Sequence, residues 1–197
     1  MTMPTHFIAA AARLGIAIAL AFTPLAANAD TLSQVAGSYK IQPSSRIGFS
    51  VGQVGGGGIN GDFKKFSGIF KLNPADIGRS TISFTLYPES VSTGKARIEN
   101  FLRSDAVFDS ANFPTITFKS TQITQTSPNT ADVAGMLTAR GKTSQATFQA
   151  SLSDHGKNSI TFHVEGKILR SRYGMDVGTP IYSNVVQFDM LIQGQRS

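Results

Sequence analysis

The sequence predicts an all-β domain, and three observations carry that prediction. From Ser38 onward apolar and polar residues alternate with a period of two. Turn-forming residues interrupt the alternation at short intervals. Only one stretch of any length in this region has helical spacing. Antiparallel sheets of this kind close into barrels or pair into sandwiches, and alternation alone is compatible with both.

The chain of 197 residues opens on a segment outside this pattern. Arg13 is its single basic residue and no acid precedes Asp30. Leu14 to Phe22 are apolar, and Ala27-Asn28-Ala29 supplies small residues for cleavage. Residues 1–29 are therefore expected to be a cleaved secretory signal. The clean apolar run is shorter than the roughly 18 to 20 residues of a spanning helix, which disfavours an anchor. Residues 30–197 then form one domain expected to be soluble outside the cytoplasm. That domain carries 17 lysines and arginines against 12 acids, a net charge of +5, which suits an anionic membrane face or head group as well as nucleic acid.

The elements follow in order. A first strand spans about 38–42 and runs on to 46–54, where Gly55 to Gly58 interrupt it. A phosphate-binding loop needs a following helix and usually Gly-Lys-Ser/Thr; this run has neither, so it reads as a flexible turn at the rim of the sheet. The next strands lie at about 61–72 and 80–92, the latter alternating Ile82, Phe84 and Leu86 with hydroxylated residues. Ile98, Phe101 and Leu102 are spaced helically within Thr93–Asp109, which predicts a short helix over one side or end of the sheet. Strands resume at 115–125, 131–140, 143–153 and 158–169. An irregular connection, Leu169 to Asn184, has room for a helical turn near Arg170 to Tyr173. The last strand, 184–194, presents Val186, Phe188, Met190 and Ile192 on one face. The total is eight strands.

The chemistry-bearing residues are sparse. There is no cysteine, which excludes a disulfide scaffold, a thiolate metal site and a cysteine nucleophile. His6 lies in the signal, His155 in the turn SDHGKN, and His163 is out of phase with Phe162 and Val164, hence on an outer face. Two separated histidines without a carboxylate cluster make a poor metal site, and the acids occur singly. No metal, no cofactor and no enzymatic activity are expected, and no catalytic residue is assigned. The fourteen phenylalanines, with no tryptophan, are either a filled core or the lining of a cavity; a barrel of about eight strands is just wide enough for either.

Six segments give the chain a further reading: INGDFKKFSGIFKLNP, SVSTG followed by FLRSDAVFD, FPTITFKST, VAGMLTARGKTSQATF and ILRSRYGM. In their order and spacing they resemble the YceI-like family of exported bacterial proteins, from about Tyr39 to Ile192. The resemblance implies an eight-stranded antiparallel, lipocalin-like barrel with an elongated apolar cavity. It also implies the periplasm as the location and an isoprenoid, isoprenoid-quinone or other long-chain amphiphilic lipid as the cargo. Phe49, Phe70, Phe84, Leu86, Phe118, Phe148, Phe162, Met175, Phe188 and Met190 are the expected cavity lining. Arg97, Arg103, Arg170, Arg172 and Tyr173 are the expected groups at the mouth, facing a polar or anionic head. The chain departs from the family pattern at Phe101, where a histidine is common, and at Arg172, where an acid is common. Transient membrane contact and a homodimer are compatible with this reading, and nucleic acid is not expected as a partner. An enzyme acting on a lipid-like substrate in the same cavity, or a non-lipid interaction or stress domain, are the alternatives. An outer-membrane barrel is disfavoured, since the chain reads QGQRS where such barrels usually close on an aromatic.

Overall fold

Alternating faces need a common core, and the chain supplies it by wrapping its strands into a ring. The computed structural model describes residues 31–197, and the expected signal at residues 1–29 lies outside the described residues. Eleven strand segments appear in chain order. They are β1 (Gly37–Ile41), β2 (Arg46–Gln53), β3 (Gly58–Phe63), β4 (Phe66–Leu72), β5 (Thr81–Leu86) and β6 (Val91–Ser92), followed by β7 (Ile116–Ser127), β8 (Thr130–Ala139), β9 (Lys142–His155), β10 (Ser159–Leu169) and β11 (Tyr182–Arg196).

These eleven segments make eight staves. β1 and β2 lie end to end along β11, Tyr39 opposite Arg196 and Phe49 opposite Phe188. β4 and β3 lie end to end along that first stave, and β5 and β6 along the second. β7 to β11 are unbroken neighbours, so the pairing of β11 with β1 and β2 closes an antiparallel, up-and-down barrel. The break after β1 falls where the sequence reading leaves a gap, between 42 and 46, while those after β3 and β5 are not marked by alternation; side chains bridge all three. Ser45, buried between β1 and β2, exchanges hydrogen bonds with the backbone of Gln193 (3.2 and 2.9 Å). Ser90 Oγ accepts from the Lys65 N–H at 2.9 Å across the other two breaks.

One short helix, α1 (Ala96–Arg103), stands between β6 and β7, as its spacing predicts, but ends sooner than Asp109. Ser104 stops it: its N–H closes on the Asn100 and Phe101 carbonyls and its hydroxyl donates to the Phe101 carbonyl. A 3₁₀ turn forms at Arg170–Tyr173, where the sequence has room for one. A second, Leu32–Val35, is not predicted, because four residues are too short to show a period; Leu32 and Val35 are nevertheless buried. His155 is a correction: it ends β9 opposite Ile160, and the turn is confined to 156–158.

Strand direction sorts the connections into two ends. At the end called upper here lie the β2–β3 turn, residues 93–115 with α1, the β8–β9 turn and residues 170–181. Gly55 to Gly57 lie in that β2–β3 turn and Gly58 opens β3, with φ of 85°, 100°, 78° and 136°, a conformation other residues resist. The outer wall is polar, with Thr81, Ser83, Thr117, Lys119, Gln145 and Thr147 exposed. No helix among the described residues is long and apolar enough to cross a membrane.

Candidate functional site

The inward faces enclose a cavity of about 220 Å³. All ten of the expected apolar residues line it: Phe49 from β2, Phe70 from β4, Phe84 and Leu86 from β5, Phe118 from β7, Phe148 from β9, Phe162 from β10, Phe188 and Met190 from β11, and Met175 from the loop before β11. Their convergence follows from period two in a closed ring, which points every second residue at the axis. Sequence reasoning missed the base. There Leu32 and Ile77, each in a 3₁₀ turn, both line the cavity and are both buried, so they close the lower end. At the upper end Phe101 and Val177 line the cavity while remaining 44% and 43% exposed, which marks the mouth.

Why the phenylalanines leave an open lumen is decided by glycines on the same inward faces. A Cβ on Gly166 would lie 2.3 Å from Phe148 Cδ1, and one on Gly194 would lie 2.4 Å from Phe70 Cζ. Gly135 holds the Phe118 ring in the same way at 2.6 Å. The rings thus lie against the wall where a side chain is missing and keep off the axis. They also brace one another: Phe148 meets Phe118 and Phe188 edge to face, with centroids 5.3 and 5.9 Å apart. A filled core and a lined cavity are both present, the rings forming the wall and the lumen lying inside it.

The expected mouth residues take three different positions. Arg97 and Arg172 are exposed at the upper end. Arg103 is half-buried and straps α1 to the barrel, donating from Nε to the Glu89 carbonyl at 2.8 Å and from Nη2 to the Val91 carbonyl at 2.9 Å. Arg170 is buried at 7% exposure and spends all five donors on the mouth loop. Nε meets the Ser183 carbonyl, Nη1 the Met175 and Val177 carbonyls, and Nη2 the Thr179 hydroxyl and the Tyr182 carbonyl. Burial lowers its pKa from the ordinary arginine value, with Asp176 acting the other way. Arg103 is accordingly a structural clamp, and Arg170, which lines the cavity beside Met175 and Val177, has its donors committed to the protein. Tyr173 is buried at 1% exposure, outside the cavity lining, and desolvation raises its pKa. Its hydroxyl makes no hydrogen bond of ordinary geometry, although Ser144 stands close enough to oppose that rise.

Glu99 fixes the start of the mouth helix. Its carboxylate accepts from the Thr93 N–H at 2.8 Å and the Gly94 N–H at 3.0 Å, and lies 3.8 Å from Arg103. The Thr93 hydrogen bond is the main cause of a pKa lowered from the ordinary 4.5, partly opposed by burial. A carboxylate with a lowered folded-state value stabilises the fold above the unfolded value, and loses that contribution as pH falls from about 4.5 through the folded value. Acidification through that range is expected to loosen residues 93–103 first. Amide hydrogen exchange, corrected for intrinsic rates, checks this: protection of Thr93 and Gly94 falls while that of β9 and β10 holds, and Glu99→Gln abolishes the pH dependence. Equal protection on both sides of the window would refute the assignment.

Known proteins of the same build exist. The YceI protein of Salmonella arizonae is 28% identical over 183 residues, covering 89% of this chain and 95% of its own length. The crystal structure of BcnA from Burkholderia cenocepacia superposes with a TM-score of 0.72 at 25% identity, over 78% of this chain and 98% of that one. A polyisoprenoid binding domain from Saccharophagus degradans, implicated in plant cell wall breakdown, superposes with a TM-score of 0.66 at 16% identity, over 81% of this chain and 98% of its own. The YceI-like domain model matches residues 39–193, the span from β1 to β11 that builds the barrel and its cavity, and the chain belongs to that family.

Proposed function

We propose that this chain sequesters or carries an isoprenoid, an isoprenoid quinone or a similar long-chain lipid in the barrel cavity, acting in the periplasm once residues 1–29 are removed. The observation that carries the reading is the cavity itself, walled almost wholly by apolar atoms, shut at the base and open at one end. Such a space favours a chain over a polar metabolite, since each buried methylene is worth about 0.8 kcal/mol while an unpaired polar group buried there costs roughly 2 kcal/mol or more. The structural likeness to a polyisoprenoid binding domain points the same way. The exposure of Arg97 and Arg172 at the upper end supports a polar or anionic head group as the part of the lipid they meet.

Native mass spectrometry of the protein purified from its own periplasm, followed by organic extraction, tests the proposal. A stoichiometric isoprenoid or fatty chain is expected, and the same spectrum reads monomer or dimer. An apo mass that does not shift on adding quinones or polyprenyl lipids would sink the carrier and favour an interaction domain. Chemical conversion of the cargo on incubation would instead favour an enzyme using the same cavity.

A further inference from the structure

Seven large apolar side chains stand exposed among the described residues: Val54, Ile69, Phe101, Met136, Leu169, Val177 and Ile181. Ile69 and Met136 sit singly on the outer wall, an ordinary surface feature. The other five all lie at the upper end, on the β2–β3 turn, α1, the end of β10 and the loop before β11. Gathered round one opening, they form a patch of the kind that marks an interaction surface. The Val54 N–H donates to the Ile181 carbonyl at 2.9 Å, which joins the glycine turn to the mouth loop. The two side chains are 75% and 58% exposed, the most exposed of the seven. Phe101 and Val177 belong both to this rim and to the cavity lining, so rim and lumen are one apolar surface.

Charge selects the occupant. The upper connections, residues 53–59, 93–115, 139–142 and 169–182, hold seven cations and four acids, a net +3 of the +5 carried by residues 30–197. Lys95, Arg97, Lys142 and Arg172 are exposed among them. Exposed apolar residues flanked by cations are the combination that settles into the boundary between head groups and acyl chains of an anionic bilayer. We propose that the upper rim docks on an anionic lipid bilayer, with Val54 and Ile181 entering the interface and the mouth facing the membrane. The purpose assigned to this contact rests on the carrier reading: a long chain passing from bilayer to cavity through the rim does not have to cross water.

The test separates the two ideas. Protein comprising residues 30–197 is floated with vesicles of phosphatidylcholine alone, or with about one third phosphatidylglycerol, and farnesol loading is read in parallel by native mass spectrometry. Val54 and Ile181 do not line the cavity, so the Val54→Ser, Ile181→Ser variant should load farnesol as the parent does. The expected result is flotation with the anionic vesicles only, weakened by salt, and reduced about tenfold in the variant. Rim-dependent flotation without farnesol loading would uphold the docking and remove the carrier reading. Farnesol loading without flotation would overturn the docking and leave the rim to a protein partner. Equal flotation of parent and variant would overturn it as well.

Discussion

Gly166→Ala is expected to drive the Phe148 ring into the lumen and to weaken long-chain lipid binding about thirtyfold, a loss of about 2 kcal/mol. Gly166 is not among the positive-φ glycines, so the backbone accepts alanine and the effect comes from the ring alone. The added Cβ would lie 2.3 and 2.8 Å from Cδ1 and Cε1 of Phe148. Phe118 and Phe188 flank that ring edge to face, so it has no room to slide along the wall. Turned inward, it takes the place of two or three chain carbons, at about 0.8 kcal/mol each. Overpacking adds a stability cost of roughly 1 to 3 kcal/mol. Titration with a polyprenyl lipid checks the first effect and thermal unfolding the second. Adding Phe148→Leu to the same chain should restore binding, because the smaller side chain clears the new methyl. Unchanged affinity in Gly166→Ala would show that the lipid does not occupy this part of the cavity.

Arg170→Met should be the most destabilising single change at the mouth. It strips partners from four backbone carbonyls, those of Met175, Val177, Tyr182 and Ser183, and from the Thr179 hydroxyl. Removing a buried charge that is already costly to desolvate returns part of this, so a net loss of roughly 3 kcal/mol is expected. For a domain of this size that lowers Tm by about 10 °C. Arg170→Lys should rescue little, because an ammonium has three donors where the guanidinium has five in a planar fork. Limited proteolysis should cut first between residues 174 and 183. A melting temperature within about 2 °C of the parent would show that the loop is held by something else.

The eight staves and their inward residues are legible in the chain because alternation is local. Each strand states its own apolar face, and Phe84 or Phe188 needs no knowledge of its neighbours to be placed inward. The same locality explains the misses. Alternation runs straight through the breaks after β3 and β5, where Ser90 replaces a ladder hydrogen bond, and the gap it leaves after β1 does not say that Ser45 fills it by bonding to the backbone of Gln193. Leu32 belongs to a segment with no period, yet it helps to shut the base because its N–H is held by the Pro128 carbonyl at 2.9 Å. ILRSRYGM stands out as a motif, but nothing in its spelling says that Arg170 turns back on its own loop while Arg172 stays outside.

By itself, then, the sequence determined the number of staves, their apolar faces, the short helix and the expectation of an export signal. Tertiary structure alone decided whether the phenylalanines fill the barrel or line it. The physical reason is register. Which ring lies over Gly166, Gly135 or Gly194, which carbonyls meet a guanidinium and which end stays open all depend on the pairing of strands far apart in the chain, and that pairing is set only when β11 closes the ring against β1 and β2.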